Sequence, residues 1–257
     1  MFDKKTISNL RDLAAKAKKK EGIILFVGAG FSSLAGLPGF SELKEKMKSV
    51  VTHEALRTYL DDDDLEAFMS AIRINSNHRI DKNNVQNLIK KELEIKDTHV
   101  SAVKDVFDYL MCLPIKCIIT TNYDELLETC CKRLEKEFIK GTRLEFKIFS
   151  DYVSTGNSVP IFKIHGDINN DDVSDLIIGY KDKSISIKDK DREGFLDVFS
   201  FLISQYPILY LGYSLNDEFS KSVVERTASL TTQNNIFSVV KDPKRSINHE
   251  IASAVQT

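Results

Sequence analysis

Four short clusters hold the residues in this chain best suited to chemistry on a small ligand. They are Gly28-Ala-Gly-Phe-Ser32, Thr120-Thr-Asn-Tyr-Asp124, Lys163-Ile-His-Gly166 and Gly212-Tyr-Ser-Leu-Asn-Asp217. A loop stripped of side chains lets backbone N–H groups approach a pyrophosphate, and Ser32 adds a hydroxyl donor. Asn122 is a neutral amide, able to position a water or a ribose hydroxyl without competing as a nucleophile. His165 is the residue type that accepts a proton near neutral pH. Asp124 can accept hydrogen bonds from a carboxamide NH2. This set of types suits cleavage of a ribosyl–nicotinamide bond, in which positive charge builds on the sugar and the leaving group departs neutral.

Each cluster also has a plainer reading. Gly-x-Gly after a strand is a tight turn, Thr-Asn-x-Asp before a helix is an N-cap, and a lone histidine is commonly a structural one. What raises the chemical reading is that all four fall at strand ends. The glycine loop is not a Walker A loop, because no Gly-Lys-Ser/Thr follows at the required offset. It is also a poor dehydrogenase fingerprint, since Ser33 stands where the third glycine belongs and Gly36 comes late. The ribose-reading acid of that fingerprint, about 20 residues on, would fall in helical sequence near Val50. A dinucleotide fits; hydride chemistry is not indicated.

The elements that must position these residues are legible from hydrophobic period. Residues 5–20 read as an amphipathic helix whose last turn carries Lys16, Lys18, Lys19 and Lys20. Ile23–Val27 is an unbroken apolar run, the pattern of a strand covered on both faces in a parallel sheet. Residues 41–110 read as helices: Ser41–Val51, Glu54–Leu60, Leu65–Ile74, Asn83–Ile95 and Val100–Leu110. Strand Ile115–Thr120 then leads into a helix over 124–138, with Phe146–Phe149 and Val159–Ile164 extended and Leu176–Ile178 a short strand. A helix over Arg192–Gln205, strand Ile208–Leu211, helix Asp217–Leu230, strand Ile236–Val240 and a helical stretch Ser246–Val255 complete the order. The expectation is an α/β fold, a doubly wound, mostly parallel Rossmann-like sheet with a helical insertion or lid about 41–112. Ligands of such sheets sit outside the carboxyl ends of the strands, where the order reverses.

Composition bounds the alternatives. With 257 residues, 42% hydrophobic and 29% charged, the chain is an ordinary globular sequence. The formal net charge of −2 gives no global field for nucleic acid or an anionic membrane. No apolar run approaches the ~18 residues of a membrane span, and no signal-peptide h-region follows the N-terminus, so a cytoplasmic protein is expected. Cys112, Cys117, Cys130 and Cys131 form no C-x-x-C pair and read as free thiols. Asp61–Asp64 does not read as a metal site, because consecutive helical residues fan around the axis.

Taken in order, Gly28-Ala-Gly-x-Ser32 with Gly36-Leu-Pro-Gly-Phe40, Thr121-Asn-Tyr-Asp124, Lys163-Ile-His-Gly166 and Gly212-Tyr-Ser214 resemble the NAD site of the sirtuin fold. The Thr-Thr-Asn-Tyr-Asp and Lys-x-His-Gly-Asp forms resemble sirtuin-like NAD hydrolases of bacterial anti-phage defence, of the Thoeris-effector type. The resemblance spans about residues 20–242. It implies Asn122 and His165 as the catalytic pair, and Gly28, Ala29, Gly30 and Ser32 around the phosphates. It further implies Asp124 at the carboxamide and Gly212 with Ser214 on the adenosine side. Phe31, Phe40 and Thr121 complete the implied cofactor-binding set. Protein deacylases of this fold carry two zinc-binding C-x-x-C pairs and a Pro-Asp-Phe-Arg loop. This chain has neither, since Gly39 and Ser41 flank Phe40 instead.

The expectation is therefore an NAD glycohydrolase that takes NAD as substrate and water as nucleophile, releases ADP-ribose and nicotinamide, and needs no metal. It would serve as a regulated defence effector, as a homo-oligomer, with a fused or associated sensor module, as the N-terminal module of a longer protein. The alternatives are a zinc-free deacylase or ADP-ribosyltransferase, and a non-catalytic NAD or ADP-ribose sensor.

Overall fold

The computed structural model describes residues 4–62, 65–74, 76–142, 158–170, 199–212, 236–239 and 255–256. Helix α1 (Lys4–Lys19) ends in a Schellman turn: the Gly22 N–H reaches the Ala17 carbonyl at 3.0 Å while Glu21 takes φ 56°. Strand β1 (Ile23–Val27) follows at once, and all five of its residues are buried. A short helix α2 (Ala29–Leu34) leads to four helices, α3 (Phe40–Val50), α4 (Glu54–Asp61), α5 (Leu65–Ile74) and α6 (Arg79–Glu92). Helix α7 (Asp97–Leu110), strand β2 (Ile115–Thr120), helix α8 (Leu126–Arg133) and strands β3 (Phe138–Thr142) and β4 (Val159–Lys163) come next. Strands β5 (Ile208–Leu211), β6 (Ile236–Val239) and β7 (Val255–Gln256) close the order.

The strands form one sheet in the order β3-β4-β2-β1-β5-β6-β7, and every pairing is parallel. Parallel strands need both faces covered, which is why β1 reads as unbroken apolar sequence. On one face Leu25 and Val27 pack with Leu13 and Ala17 of α1, Val103 and Phe107 of α7 and Leu126 of α8. On the other, Phe26 meets Tyr210 at 4.9 Å between ring centroids and Phe199 edge-on at 6.1 Å, the latter from a helical segment at 199–205. The architecture is the expected Rossmann-like α/β sheet.

Helices α3 to α6 have a core of their own. Met47, Val51, Leu56, Leu60, Phe68 and Val85 meet there, and Ile168 and the half-buried Tyr123 join from the loops after β4 and β2. The helical insertion thus packs on the two segments that carry the candidate chemistry.

Three expectations change. The turn expected at Gly28–Ser32 is helical from Ala29 onward, the start of α2. The helix expected over 124–138 stops at Arg133, and its last expected residue, Phe138, opens the edge strand β3. The stop is a second Schellman turn, with Lys136 N–H on the Cys131 carbonyl at 3.0 Å and Glu135 at φ 51°. Glycine normally marks that left-handed position; glutamate here left no signal in the sequence. At the other end, Val255 belongs to β7 rather than to a helix. The expected strands Phe146–Phe149 and Leu176–Ile178, helix Asp217–Leu230 and most of Ser246–Val255 lie outside the described residues. So does the first part of Arg192–Gln205.

Candidate active site at the sheet switch point

Strand order reverses at β1, which pairs with β2 on one side and β5 on the other. The segments leaving β1, β2 and β5 therefore emerge together at the carboxyl edge of the sheet, where open α/β folds bind ligands. Backbone hydrogen bonds stitch them. Gly28 N–H donates to Leu211 O at 2.9 Å, Gly30 N–H to Gly212 O at 2.8 Å, and Thr121 N–H to Val27 O at 3.3 Å.

The Gly30–Gly212 contact explains both glycines. A Cβ on Gly30 would lie 2.8 Å from the Gly212 Cα and carbonyl oxygen. Gly212 takes φ +64°, and a Cβ there would lie 2.4 Å from the Phe31 nitrogen. Two backbones touch where no side chain fits. The Gly28, Gly30 and Phe31 amides are accordingly committed to backbone partners, while Ala29 and Gly30 remain exposed on the rim. Phe31 itself turns inward, 2% exposed, with its ring 6.4 Å from that of Phe107. Its side chain belongs to the core beneath α2. Phe40 opens α3, and Ser214 lies outside the described residues.

Asn122 sits two residues beyond β2 and is buried. Its amide nitrogen donates to the Gly28 carbonyl at 3.1 Å and to the Ser32 hydroxyl oxygen at 2.8 Å. The Ser32 hydroxyl donates in turn to Asp124 Oδ2 at 2.7 Å, and Asp124 Oδ1 accepts the Leu126 N–H of α8 at 3.0 Å. The Asn122 N–H rests on Thr120 Oγ1 at 3.0 Å, whose own proton goes to the Val27 carbonyl at 2.9 Å. A carbonyl oxygen such as that of Gly28 can only accept, so the amide has one workable orientation. Both amide hydrogens are used, and Asn122 Oδ1 is left buried without a hydrogen-bond partner among the described residues. An unsatisfied buried acceptor costs free energy and marks a place where a ligand or water donor belongs.

His165 follows β4 in the same way. Thr120 and Lys163 are register partners in the β2–β4 pairing, and Ile164 N–H donates to Thr120 O at 2.9 Å. Asn122 and His165 thus stand two residues beyond a matched pair on adjoining strands. The His165 ring is half-buried, 6.4 Å from the ring of Tyr123. Burial pushes the Tyr123 phenol well above its ordinary range, so it stays protonated.

Beneath these loops lies an ionic cluster that sequence reading missed. Lys163 is wholly buried, and its ammonium donates to the carbonyls of Tyr123 (2.9 Å) and Asp124 (2.6 Å). It also pairs with Glu128 Oε1 at 3.2 Å and Asp167 Oδ1 at 3.6 Å. Lys140 bridges Asp167 Oδ2 (2.5 Å) and Glu125 Oε1 (3.0 Å). Burial alone would raise the Asp167 carboxyl, but Lys163, Lys140 and the Asn169 N–H together hold it below its ordinary value. At Glu128 burial wins over Lys163, and the carboxyl is raised. The available signal was a lysine closing an otherwise apolar strand, Val-Pro-Ile-Phe-Lys163.

Cysteine chemistry is not poised here. Burial pushes the Cys117 and Cys131 thiols up to about 12 and that of Cys130 to about 11. Among the described residues, no group of three or more His, Cys, Asp or Glu could hold a metal ion. No helix of the described residues is long and apolar enough to cross a membrane.

The sequence matches the SIR2-like domain family over residues 116–255, more than half of the chain. The chain belongs to the SIR2-like family. The matched region starts at β2, so it holds both Asn122 and His165 but not the Gly28–Ser32 segment. Among curated proteins, this SIR2-like chain is similar to the defense-associated sirtuin 2 of Bacillus subtilis, at 20% identity over 225 residues. That alignment covers 84% of this chain and 20% of the relative. It is also similar to the NAD(+) hydrolase ThsA of Enterococcus faecium, 27% identical over 216 residues, covering 79% of this chain and 39% of the relative. The SIR2-like chain therefore spans well under half the length of either relative.

Proposed function

We propose that this SIR2-like domain hydrolyses NAD to ADP-ribose and nicotinamide, as a regulated effector of anti-phage defence. The observation that carries this reading is the Asn122 amide, held by both hydrogens and presenting an unpartnered buried oxygen at the sheet's switch point. Such an oxygen can hold only a donor. A water bound there through one O–H is fixed in place, its lone pair left to attack the anomeric carbon. In the balanced step, the water oxygen bonds to that carbon and the carbon–nitrogen bond breaks. The electron pair goes to the pyridinium nitrogen, so nicotinamide leaves neutral. His165 takes the water's proton.

The dinucleotide fits the rim. Exposed Ala29 and Gly30 present backbone without bulk beside the seam between β1 and β5, where a pyrophosphate can lie close. Asp124, 5% exposed, acts through Ser32 and the first turn of α8, with Oδ2 accepting from the Ser32 hydroxyl and Oδ1 from the Leu126 N–H. These bonds support an anchoring task for Asp124. The defence role is supported by the two relatives, whose names give one as a defence-associated sirtuin and the other as an NAD(+) hydrolase.

The test is nicotinamide release from NAD, with and without an acetylated peptide. Release from NAD alone is expected, falling ~10²-fold or more in Asn122→Ala and in His165→Ala. Release that requires the peptide identifies a deacylase. Tight NAD binding with no release in any oligomeric state identifies a sensor.

A further inference from the structure

Lys163 takes no part in the proposed chemical step, yet it occupies the most expensive position near it. An ammonium wholly removed from water loses its hydration, and a buried ion pair seldom returns this as stability relative to an apolar side chain. We propose that Lys163 is a positioning residue, one buried ammonium that fixes the Asn122 segment and the His165 segment in mutual register. The inference rests on the hydrolase reading for its kinetic consequence, though its geometric content is independent of the reaction.

The geometry of its bonds carries the argument. The Lys163 side chain leaves β4 and crosses to the neighbouring loop, where it binds the carbonyls of Tyr123 and Asp124, the residues directly after Asn122. Glu128 in the first turn of α8 forms an ion pair with it at 3.2 Å, and Asp167, two residues after His165, lies 3.6 Å from the same ammonium. One charge therefore holds the backbone on the far side of Asn122, the helix that this loop enters, and the loop that carries His165. Strand pairing ends at Thr120 and Lys163, and beyond them the backbone bonds between the two loops are Ile164 N–H to Thr120 O (2.9 Å) and the longer Ile168 N–H to Tyr123 O (3.3 Å). The ammonium continues the connection past the point where the sheet stops. Methionine, with similar volume, would fill the space but bind neither carbonyl. Lysine in place of an apolar residue is explained by the need to hold two loops, not by the need to fill a core.

The simple Lys163→Met exchange would leave Glu128 buried without its cation. Lys163→Met/Glu128→Gln removes that orphaned charge and is measured against Glu128→Gln alone, while Asp167 keeps Lys140. Two readouts are taken on the whole chain. By NMR, the Asn122 side-chain NH2 and the His165 imidazole signals should both shift in the double variant, and the Asn122 amide protons should exchange faster with solvent. In nicotinamide release, kcat should fall ~10²-fold, the scale of an ångström's misplacement of reacting groups, with KM for NAD changed less than about 3-fold because the phosphate rim does not touch Lys163. Lys163→Arg, which keeps the charge and can reach a carbonyl, should recover part of the kcat.

Unshifted Asn122 and His165 signals in the folded double variant overturn the proposal, whether or not the protein hydrolyses NAD. So do a KM rise with unchanged kcat, and a double variant that fails to fold, which would make Lys163 a stability residue. If the unaltered protein releases no nicotinamide, the hydrolase reading fails, and the NMR shifts alone decide the positioning role.

Discussion

At Asn122 an ordinary amide has lost its rotational choice: with one hydrogen on the Gly28 carbonyl and the other on Ser32, only its oxygen remains to meet a ligand. Ser32 is the hinge of this arrangement, accepting from Asn122 while donating to Asp124. Ser32→Ala should therefore leave a buried amide hydrogen and a buried carboxylate oxygen unpaired, at a cost of about 1–3 kcal/mol. Urea denaturation would read that loss as a lower midpoint with an unchanged slope. Nicotinamide release should fall as well, because an amide held by one hydrogen can turn its oxygen away. A Ser32→Ala protein with the original midpoint would mean that the Ser32 bonds are not formed in solution. In the sequence, Ser32 is a hydroxyl beside a glycine turn; nothing local says that it faces an asparagine 90 positions away.

At the scale of elements, the seam between β1 and β5 and the junction of α3 with α4 each rest on a compact device. In the seam, Gly212→Ala would place a methyl 2.4 Å from the Phe31 nitrogen at a residue with φ +64°. Strain of both kinds should lower stability by about 1–3 kcal/mol. A thermal melt shows this as a drop in Tm, and NAD binding should weaken with it, since Gly30 sits directly opposite. In the helical insertion, Asp81 of α6 accepts from the Thr52 N–H (2.6 Å), the Thr52 hydroxyl (2.8 Å) and the His53 N–H (3.2 Å). Asp81→Ala should cost about 1–3 kcal/mol for the donors it abandons. Hydrogen exchange is the sharper measurement, because faster exchange should concentrate in α3 to α6 and spare the sheet. Uniform loss of protection would refute a local tie.

For the molecule as a whole, buried carboxylates set the response to acid. Burial alone would raise the Asp81 and Asp167 carboxyls, but Asp81 is held below its ordinary 3.8 by the Thr52 and His53 donors, and Asp167 by Lys163 and Lys140. A carboxyl lower in the folded than in the unfolded protein contributes stability that is complete above the ordinary value. That contribution is lost as pH falls through the depressed one, because the unfolded chain takes up protons first. Glu128 has the opposite sign: its raised carboxyl favours the folded state below its ordinary 4.5, and the benefit goes as pH rises through the raised value. The expected profile is an acid limb falling below about pH 4, followed as urea midpoints from neutral pH downward. Asp81→Asn, which removes one of the depressed groups, should make that limb shallower; an unchanged limb would place the acid response elsewhere.

Period alone sufficed for most elements of this chain, because burial imposes its pattern residue by residue. The unbroken Ile23–Val27 run reads as a buried parallel strand and is one, and the apolar stripes of residues 41–110 are helices α3 to α7 in the structure. Breaks in period without glycine or proline stayed hidden: Glu135 ends α8 in a left-handed turn, and the edge strand β3 follows unannounced. The sequence also held the side-chain types of the candidate site at strand ends. Tertiary structure decided what each of them touches. That Phe31 points into the core, that Asn122 Oδ1 stands alone, and that Lys163 binds two carbonyls of another loop all follow from strand register. Register joins residues from opposite ends of the fold, and no pattern confined to neighbouring residues can encode that choice.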